Sequence, residues 1–306
     1  MGGFSSVSRH RWVRPRRAPR WHRADRFALR ALRKPAQFPG RCVFCNGLGM
    51  TKEHIWSDWI TKRGLVPGEQ SHGQVVAHTH FNNKVKIVTI DADLIGPKLG
   101  ALIQRKIRNV CVGCNTGWMR DVVNAAISIS EKLILGRSVT LDPKSQTQVA
   151  TWITIACIMA EFTDERSMAI LPYDRDFVRK HRFPPDNWRI FIGRYSGSDW
   201  TPTRYRHHGS GPIRFQSISG GLIVSRIDCF QVTTYILGNF AVHAFSSRNS
   251  EISFTFDEQF SPCKMLKIWP VGSNIEWPPD NALNDDEIMS ISNNFWFANF
   301  AKHRPM

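Results

Sequence analysis

Four cysteines of this chain stand in two pairs of the kind that holds a metal ion. Cys42 and Cys45 form the first pair, Cys111 and Cys114 form the second, and two residues separate the cysteines within each pair. This spacing is typical of a tetrahedral structural zinc site, because each pair forms a turn that presents two sulfurs to one ion. The sequence therefore predicts one structural zinc on these four thiolates.

Between the two pairs lies a Glu-His dipeptide whose side chains suit phosphodiester hydrolysis. That reaction needs a water made nucleophilic and a divalent cation that neutralises charge developing on the phosphate and the leaving oxygen. His54 can take the proton of the water, since the ordinary pKa of histidine is about 6.5, and Glu53 offers a hard oxygen to Mg2+ or Mn2+. A Glu-His dipeptide is common on protein surfaces, but its place between two zinc-type pairs favours a site. Adjacent side chains of a strand point to opposite faces, so both can serve one site only where the backbone kinks.

Asn115 directly follows the second pair, at the point where a helix is expected to begin. Two interpretations stay open for it. Asparagine is a preferred N-cap residue, whose side-chain oxygen accepts a hydrogen bond from an unpaired backbone N–H. Alternatively, its oxygen completes the shell of a magnesium ion opposite Glu53.

Together these motifs resemble the HNH endonucleases, in the version whose ββα-metal core also carries a structural zinc. The matching segments are Cys42-Val-Phe-Cys45, Glu53-His54-Ile55 and Cys111-Val-Gly-Cys114-Asn115. The longer signature Cys-x2-Cys-Asn-x-Gly-Trp-Met is similar to a set of HNH-type proteins in which two later segments also recur. Those segments match Ala150-Thr-Trp152 and the stretch from Ile268-Trp269-Pro270 to Trp277-Pro278-Pro279. The resemblance covers residues 41 to 306.

The resemblance implies a role for each residue of the site. In that family an acid or a histidine precedes the general-base histidine, which implies that Glu53 is a metal ligand and His54 is the base. The residue after the last cysteine is the second metal ligand, which implies Asn115. The family's middle asparagine, which orients the catalytic histidine, has no counterpart at the usual spacing. Asn109 lies too close to Cys111, so a backbone carbonyl is a candidate replacement.

Four basic residues near the site in sequence suit the positioning of phosphates, although each is also compatible with a solvated surface charge. They are Arg105, Lys106, Arg108 and Arg120. Four tryptophans could stack on bases, but tryptophan at helical spacing usually packs in the core, and we assign them there. They are Trp56, Trp59, Trp118 and Trp152.

The elements that must position the site follow from the apolar pattern. Residues 51–56 and 105–110 predict two short strands, the first leading into a helical turn through Trp59 and Ile60, and residues 74–90 predict an inserted hairpin. From Trp118 apolar residues recur at every third or fourth position until about Gly136, which predicts an amphipathic helix. Two strands and a helix in this order are typical of a ββα zinc unit.

The second half of the chain predicts a helix followed by an antiparallel sheet. A turn at Asp142-Pro143 precedes residues 146–161, which are apolar on all sides and predict a buried helix. The predicted strands are 188–194, 221–227, 230–237, 241–246 and 252–256. We therefore expect an α+β protein with three parts. These are a basic tail at 1–38, an HNH-like zinc module at 39–137 and an α+β C-terminal domain of unknown role at 138–306.

Composition places the chain among globular proteins. Of its 306 residues 42% are hydrophobic and 22% are charged, which is enough to bury a sizeable core. It has no run of about 18 apolar residues, so we expect no membrane partner. Cys157, Cys229 and Cys263 stand in apolar surroundings and are expected in the core. Few cysteines, mostly in metal-type pairs, argue against a disulfide framework and favour a reducing compartment, the cytoplasm.

The charge of the chain is concentrated at its start. The net charge is +16, and residues 1–40 hold ten arginines and one lysine against the single acid Asp25. With Trp12 and Trp21 interleaved, such a tail can bind phosphate backbones and stack on bases. It also fits a transit peptide, a disordered solubilising arm or translated leader sequence.

Two hypotheses for function follow. The first is a metal-dependent HNH-type endonuclease that uses His54 as general base and one Mg2+ or Mn2+ on Glu53 and Asn115. The alternative is a non-catalytic, zinc-dependent nucleic-acid-binding protein. Both make nucleic acid the partner, with DNA favoured over RNA, and neither determines the oligomeric state.

Overall fold

A computed structural model of the chain describes most of the segments that carry the predicted site. It describes residues 40–66, 71–73, 76–82, 85–91, 97–99, 102–163, 168–201, 203–219, 222–248 and 264–302. Three predictions lie outside these residues, namely the basic tail, the strand at 252–256 and the burial of Cys263.

Two antiparallel strands connect the cysteine pairs. Strand β1 (Met50–His54) is followed by the short helix α1 (Trp59–Lys62) and later pairs with strand β6 (Lys106–Cys111). Between α1 and β6 lie four strands that form two two-stranded sheets. They are β2 (Ser71–Gly73), β3 (Val76–Asn82), β4 (Val85–Asp91) and β5 (Pro97–Leu99), of which β2 pairs with β5 and β3 with β4. The β3–β4 pair confirms the predicted hairpin.

A helical segment with a kink follows β6. It consists of α2 (Val112–Cys114), a π-helical turn (Asn115–Met119) and α3 (Arg120–Ile134), and the backbone angles at Gly117 are not helical. The buried side chains of α3 recur at three- and four-residue steps, which confirms the predicted amphipathic helix. The segment begins earlier than predicted because the side chain of Cys111 caps it, accepting a hydrogen bond from the Cys114 N–H.

Strand β7 (Val139–Leu141) leads into two further helices, α4 (Pro143–Glu161) and α5 (Pro172–His181). The predicted turn at Asp142-Pro143 is the start of α4, since Asp142 Oδ1 accepts a hydrogen bond from the Ser145 N–H at 2.7 Å and Pro143 occupies the first helical turn. The helix therefore begins before residue 146. Helix α5 was not predicted.

The rest of the chain forms one six-stranded sheet, a strand that pairs with β7, and a last helix. The strands are β8 (Trp188–Tyr195), β9 (Thr203–Ser219), β10 (Leu222–Leu237), β11 (Phe240–Ser247), β12 (Leu266–Trp269), β13 (Ile275–Trp277) and β14 (Ala282–Leu283), and the helix is α6 (Asp285–Lys302). The sheet order is β12-β8-β11-β10-β9, with antiparallel neighbours, while β14 pairs with β8 in parallel and β13 pairs with β7. This mixture of helices and antiparallel sheets confirms the α+β class.

The prediction of two strands at 221–227 and 230–237 was wrong. They form the single strand β10, whose register against β9 shifts between Asp228 and Phe230. Such a bulge absorbs a residue that interrupts the alternation of side chains, so the strand continues through the break in the pattern.

Helices cover both faces of the six-stranded sheet. Helix α4, buried nearly all round as predicted, belongs to a core that runs from Phe44 to Trp188 and Val242, while Ile288 and Ile291 of α6 pack with the opposite face of the sheet. The boundary predicted after residue 137 lies between α3 and β7, and both of these elements contribute to the first core.

Two further expectations concern the redox state of the cysteines and the presence of a membrane-spanning helix. None of the described cysteines forms a disulfide, and Cys157 and Cys229 are buried as predicted. Within the described residues, no helix has the length and apolar character needed to cross a membrane.

Candidate metal centre and neighbouring residues

The two cysteine pairs converge on one point. The four Sγ atoms of Cys42, Cys45, Cys111 and Cys114 lie within 4.8 Å of one another, and those of Cys45 and Cys111 are 3.5 Å apart. Four sulfurs on a tetrahedral zinc are about 3.8 Å apart, given Zn–S bonds of about 2.3 Å. The arrangement can therefore hold a metal such as zinc.

The first pair lies in a tight turn that aims backbone N–H groups at sulfur. The Cys42 N–H donates to the Gly47 carbonyl at 2.9 Å, and the Gly47 N–H donates to Cys45 Sγ at 3.4 Å. A Cβ atom on Gly47 would lie 3.2 Å from Cys45 Sγ, so glycine permits this approach of the backbone. Donors placed around the sulfurs favour thiolates, which are the form that binds metal.

The second pair is built in the same way and is tied to the first. The Cys114 N–H donates to Cys111 Sγ at 3.4 Å. Two backbone hydrogen bonds link the turns, from the Val112 N–H to the Gly49 carbonyl and from the Val43 N–H to the Asn109 carbonyl, both at 3.0 Å. The backbone therefore brings the two pairs together.

Burial distinguishes the four cysteines. Cys45 is exposed and the other three are buried. Burial raises the pKa of the Cys114 thiol, which opposes formation of the thiolate. A bound cation reverses that preference, since it stabilises the thiolate directly.

The strand that carries Glu53 and His54 lies opposite a bulge. Thr51 pairs with Val110 and Glu53 pairs with Ile107, so β6 has one more residue than β1 over this interval. A bulge bends a strand pair and increases its twist. This irregularity lies before Glu53, whereas Glu53 and His54 pair in regular register with Ile107 and Lys106, so the bulge is not the kink between these two residues that the sequence required.

Asn115 reaches back to β1. Its Nδ2 atom donates to Thr51 Oγ1 at 3.1 Å, and its side chain lies near enough to the Glu53 carboxylate to favour the charged form of that group. The N-cap interpretation of Asn115 was wrong, because the side chain of Cys111 caps this helix and Asn115 has helical backbone angles. Its side chain therefore serves the contact with β1 instead.

Glu53 and His54 are both partly buried, and this changes their titration in opposite directions. Desolvation raises the pKa of Glu53, although the hydrogen bond from Asn115 opposes the rise. Desolvation and, next, the charge of Lys106 lower the pKa of His54. Both changes favour the uncharged side chain.

No described residue makes a hydrogen bond to the His54 imidazole. The carbonyl of Asn109 is occupied by the Val43 N–H, so this residue uses its backbone to hold the first cysteine turn. Within the described residues, neither an asparagine side chain nor a backbone carbonyl takes the place of the family's middle asparagine.

The predicted phosphate-binding residues divide into two groups. Lys106 and Arg108 are exposed and alternate along β6 with half-buried residues, and Arg120 is exposed at the start of α3. Arg105 instead donates to the Tyr205 hydroxyl at 3.3 Å and thereby ties the cysteine segment to β9.

The four tryptophans are buried, which confirms their assignment to the core. Trp56 packs edge-on against Tyr205 with 4.9 Å between ring centroids, and the Trp152 indole N–H donates to Ser57 Oγ at 3.0 Å.

Sequence reasoning missed a basic segment beside the second cysteine pair. The guanidinium of Arg182, directly after α5, lies 4.9 Å from the centroid of the Trp118 ring. Arg179 and Arg182 both lie close enough to Cys114 to interact with its charge. The four-residue spacing of Tyr173, Phe177 and His181 is the pattern that could have identified this helix.

Comparisons of the chain with protein-family models, curated proteins and solved structures found no match. The geometry of the described residues is therefore the basis for a functional proposal. It consists of a four-cysteine cluster, the neighbouring side chains of Glu53 and Asn115, and His54, which follows Glu53 on β1.

Proposed function

We propose that this chain is a metal-dependent endonuclease of the HNH type, built on a ββα-metal module. The observation that carries the proposal is the position of the Asn115 side chain against β1, where its Nδ2 donates to Thr51 Oγ1 at 3.1 Å and it lies near enough to the Glu53 carboxylate to influence that group's pKa. This position brings two oxygen-bearing side chains from opposite ends of the module near each other, and oxygen ligands are those that Mg2+ and Mn2+ prefer.

The cysteine cluster has a structural role in this proposal. Zinc on the four thiolates holds β1 and the start of the helical segment together, so that Glu53 and Asn115 remain close to each other. Closed tetrahedral sites with four protein ligands are typical of structural zinc, since no position is left for substrate. Loss of the metal would release both turns.

Glu53 and Asn115 would hold the catalytic cation. When bound, a divalent cation supplies positive charge that stabilises the developing charge on the phosphate and the leaving oxygen. His54, the next residue on β1, takes a proton from the attacking water as general base. Lys106 and Arg108 contact the phosphate backbone from the exposed face of β6. DNA is the favoured substrate.

One observation favours a second candidate, a zinc-dependent nucleic-acid-binding protein without catalysis. No described residue orients the His54 imidazole, and the Asn109 carbonyl is held by Val43. A general base that is not oriented contributes little to proton transfer. In this case the basic side chains bind nucleic acid and no bond is broken.

Plasmid nicking distinguishes the two candidates. Wild type, His54→Ala and Glu53→Gln are incubated with Mg2+ or Mn2+, and with a chelator at a level that leaves the zinc content unchanged. The matched control is Glu276→Gln, an exposed carboxylate on β13. The endonuclease is expected to nick only with added cation, and loss of the general base is expected to slow nicking by at least about 100-fold.

Equal nicking by wild type and His54→Ala, or no nicking by any of them, would exclude the endonuclease. Retained binding in a gel-shift assay, lost when the zinc cysteines are replaced, would then establish the second candidate. Zinc content near zero in protein purified under reducing conditions would contradict both.

A further inference from the structure

One face of α5 carries a row of aromatic rings. Tyr173, Phe177 and His181 follow one another at four-residue steps, and Tyr173 is 64% exposed. The ring centroids of Tyr173 and Phe177 are 6.4 Å apart, and those of Phe177 and His181 are 4.3 Å apart. The rings therefore form a continuous row along the helix.

Other aromatic side chains pack against the C-terminal part of the row and hold it in place. Phe183 packs edge-on against Phe177 at 5.4 Å and lies 5.9 Å from the ring of Trp269. The Trp269 indole N–H in turn donates to the Pro185 carbonyl at 3.1 Å. These contacts hold the rings in place before any ligand arrives, which reduces the entropy lost on binding.

Basic side chains surround the row. The guanidinium of Arg248 lies 5.0 Å from the centroid of the Tyr173 ring and 3.6 Å from the Asp174 carboxylate, and 47% of this side chain remains exposed. Arg179 and Lys180 both pair with Asp176, yet 57% of the Lys180 side chain remains exposed. Arg182, which follows the helix, is exposed as well. Positive charge beside accessible rings suits a ligand that has both phosphates and free aromatic faces.

The row ends beside the cysteine cluster. Arg182 covers the ring of Trp118, and Trp118 packs edge-on against Phe44 of the first cysteine turn at 5.0 Å. Trp118 also lies in the same π-helical turn as Asn115. A polymer bound along α5 therefore reaches the segment that carries the proposed metal ligand.

We propose that this aromatic row binds a single-stranded segment of nucleic acid. Bases stack on the exposed rings of Tyr173 and His181, which half-buried Phe177 supports from between them, while Lys180, Arg182 and Arg248 contact phosphates. Duplex bases stack on each other and leave no face for the rings, so the single strand is the fitting form. The inference rests on the proposed function for its ligand class and adds the surface and the strand state.

Equilibrium binding tests the inference without relying on cleavage. Fluorescence anisotropy is measured with three labelled probes of equal length, namely single-stranded DNA, single-stranded RNA and duplex DNA, with no divalent cation added. We expect wild type to bind single strands more tightly than duplex. Tyr173→Ala should weaken single-strand binding at least about fivefold, because one stacked base is lost. Tyr173→Phe, which keeps the ring, should bind like wild type.

The charge contribution is tested by salt dependence. Arg182→Ala should reduce the slope of log affinity against log salt concentration by about 0.7, the value for one phosphate contact on a single strand. The matched control is Arg137→Ala, an exposed arginine near the Asn239 turn, at the other end of β11 from Arg248. It should leave affinity and slope unchanged.

The outcomes separate this inference from the proposed function. The inference is overturned if Tyr173→Ala binds single strands as tightly as wild type does. It is also overturned if this substitution weakens duplex binding as much as single-strand binding, even if the protein nicks plasmid. Ring-dependent binding without nicking upholds it and removes the nuclease. Equal affinity for the single-stranded DNA and RNA probes supports recognition through the bases. A higher affinity for one of these probes identifies the natural polymer.

Discussion

The positions of the four sulfur atoms in the candidate metal centre depend on how closely individual backbone groups approach them. Gly47 is the clearest case, since its N–H donates to Cys45 Sγ and a Cβ atom there would lie 3.2 Å from that sulfur. That distance is tighter than ordinary carbon–sulfur contact. A small residue at position 47 is therefore part of the site although it donates no ligand.

Replacement of Gly47 by alanine should weaken metal binding without preventing folding. The added methyl displaces Cys45 Sγ from its position, and changes next to metal ligands typically cost about 10- to 100-fold in affinity. We expect at least a tenfold weaker zinc affinity on that scale. The measurement is competition against a chromogenic chelator under reducing conditions.

Gly113→Ala is the matched control for this prediction. Gly113 lies between the cysteines of the second pair, and a Cβ atom there meets nothing within 4 Å. It should retain the affinity of wild type. Equal affinities for the two variants would show that the approach of the backbone at position 47 does not matter.

At the level of elements, the turn between β10 and β11 closes the end of α3. The Asn239 N–H donates to the Ile134 carbonyl at 3.0 Å. Gly238 has φ +56°, and a Cβ atom on it would lie 2.8 Å from the Ile134 carbonyl oxygen. Glycine is therefore required both for the left-handed conformation and for the close approach.

Gly238→Ala should destabilise the fold by at least about 2 kcal/mol, since the left-handed conformation alone costs about 1 kcal/mol and a clash with backbone is added. Gly64→Ala isolates the first contribution, because Gly64 has φ +64° and open space around its Cα. That control should lose only about 1 kcal/mol. Free energies of unfolding from urea titrations check both values. Equal losses of stability in the two variants would show that the Ile134 carbonyl moves aside.

The connection from α4 to α5 contains a buried acid. Glu161, the last residue of α4, is 0% exposed, and its Oε1 accepts hydrogen bonds from the N–H groups of Ala169 and Ile170. Burial raises the pKa of this carboxyl to about 8, although the charge of Arg175 opposes the rise. The group therefore takes up a proton when the chain folds at neutral pH.

The raised pKa of Glu161 makes the stability of the fold change with pH in a definite direction. The pKa of glutamate in an unfolded chain is about 4.3, so between about pH 4.3 and pH 8 the folded state holds a proton that the unfolded state has released. This group therefore makes the fold less stable as pH rises through that window, by up to about 1.4 kcal/mol per pH unit. Glu161→Gln should flatten the pH dependence of urea unfolding, whereas Glu276→Gln, at an exposed site, should not. An unaltered slope in Glu161→Gln would contradict the raised pKa.

Across the whole molecule, an aromatic cluster joins the cysteine segment to the large sheet. Trp56, which is 1% exposed, contacts the rings of Tyr205 and Tyr235 at 4.9 and 6.3 Å. The same core contains residues of α4 and of the first cysteine turn. The metal centre and the sheet are therefore expected to unfold together.

Trp56→Ala should lower the free energy of unfolding of the whole chain by about 3–5 kcal/mol, the usual loss for a large buried aromatic side chain. Trp56→Phe keeps a ring against Tyr205 and should lose less. Far-UV circular dichroism and tryptophan fluorescence should report one coincident transition in urea. Two separate transitions in Trp56→Ala would show that the cysteine segment folds independently of the sheet.

Features with local patterns were predictable from the sequence. The spacing of the cysteines identifies a metal site because two intervening residues are enough to close a turn. The apolar period of α3 and the continuous apolar run of α4 identify helices because burial follows the period of the element. Helix α5 escaped prediction because its aromatic residues are separated by charged ones, and β9 did so because its polar sequence forms a strand by pairing with β10.

The sequence by itself therefore determined the candidate metal ligands, the α+β class and the candidate dipeptide of Glu53 and His54. Only the tertiary structure decided that Asn115 donates a hydrogen bond to Thr51 near Glu53 rather than capping a helix. It also decided that an aromatic row lies beside the cysteine cluster. The physical reason is the same in both cases. These contacts join residues far apart in the chain, and their geometry depends on a bulge, a capped helix and a shared core that no local pattern specifies.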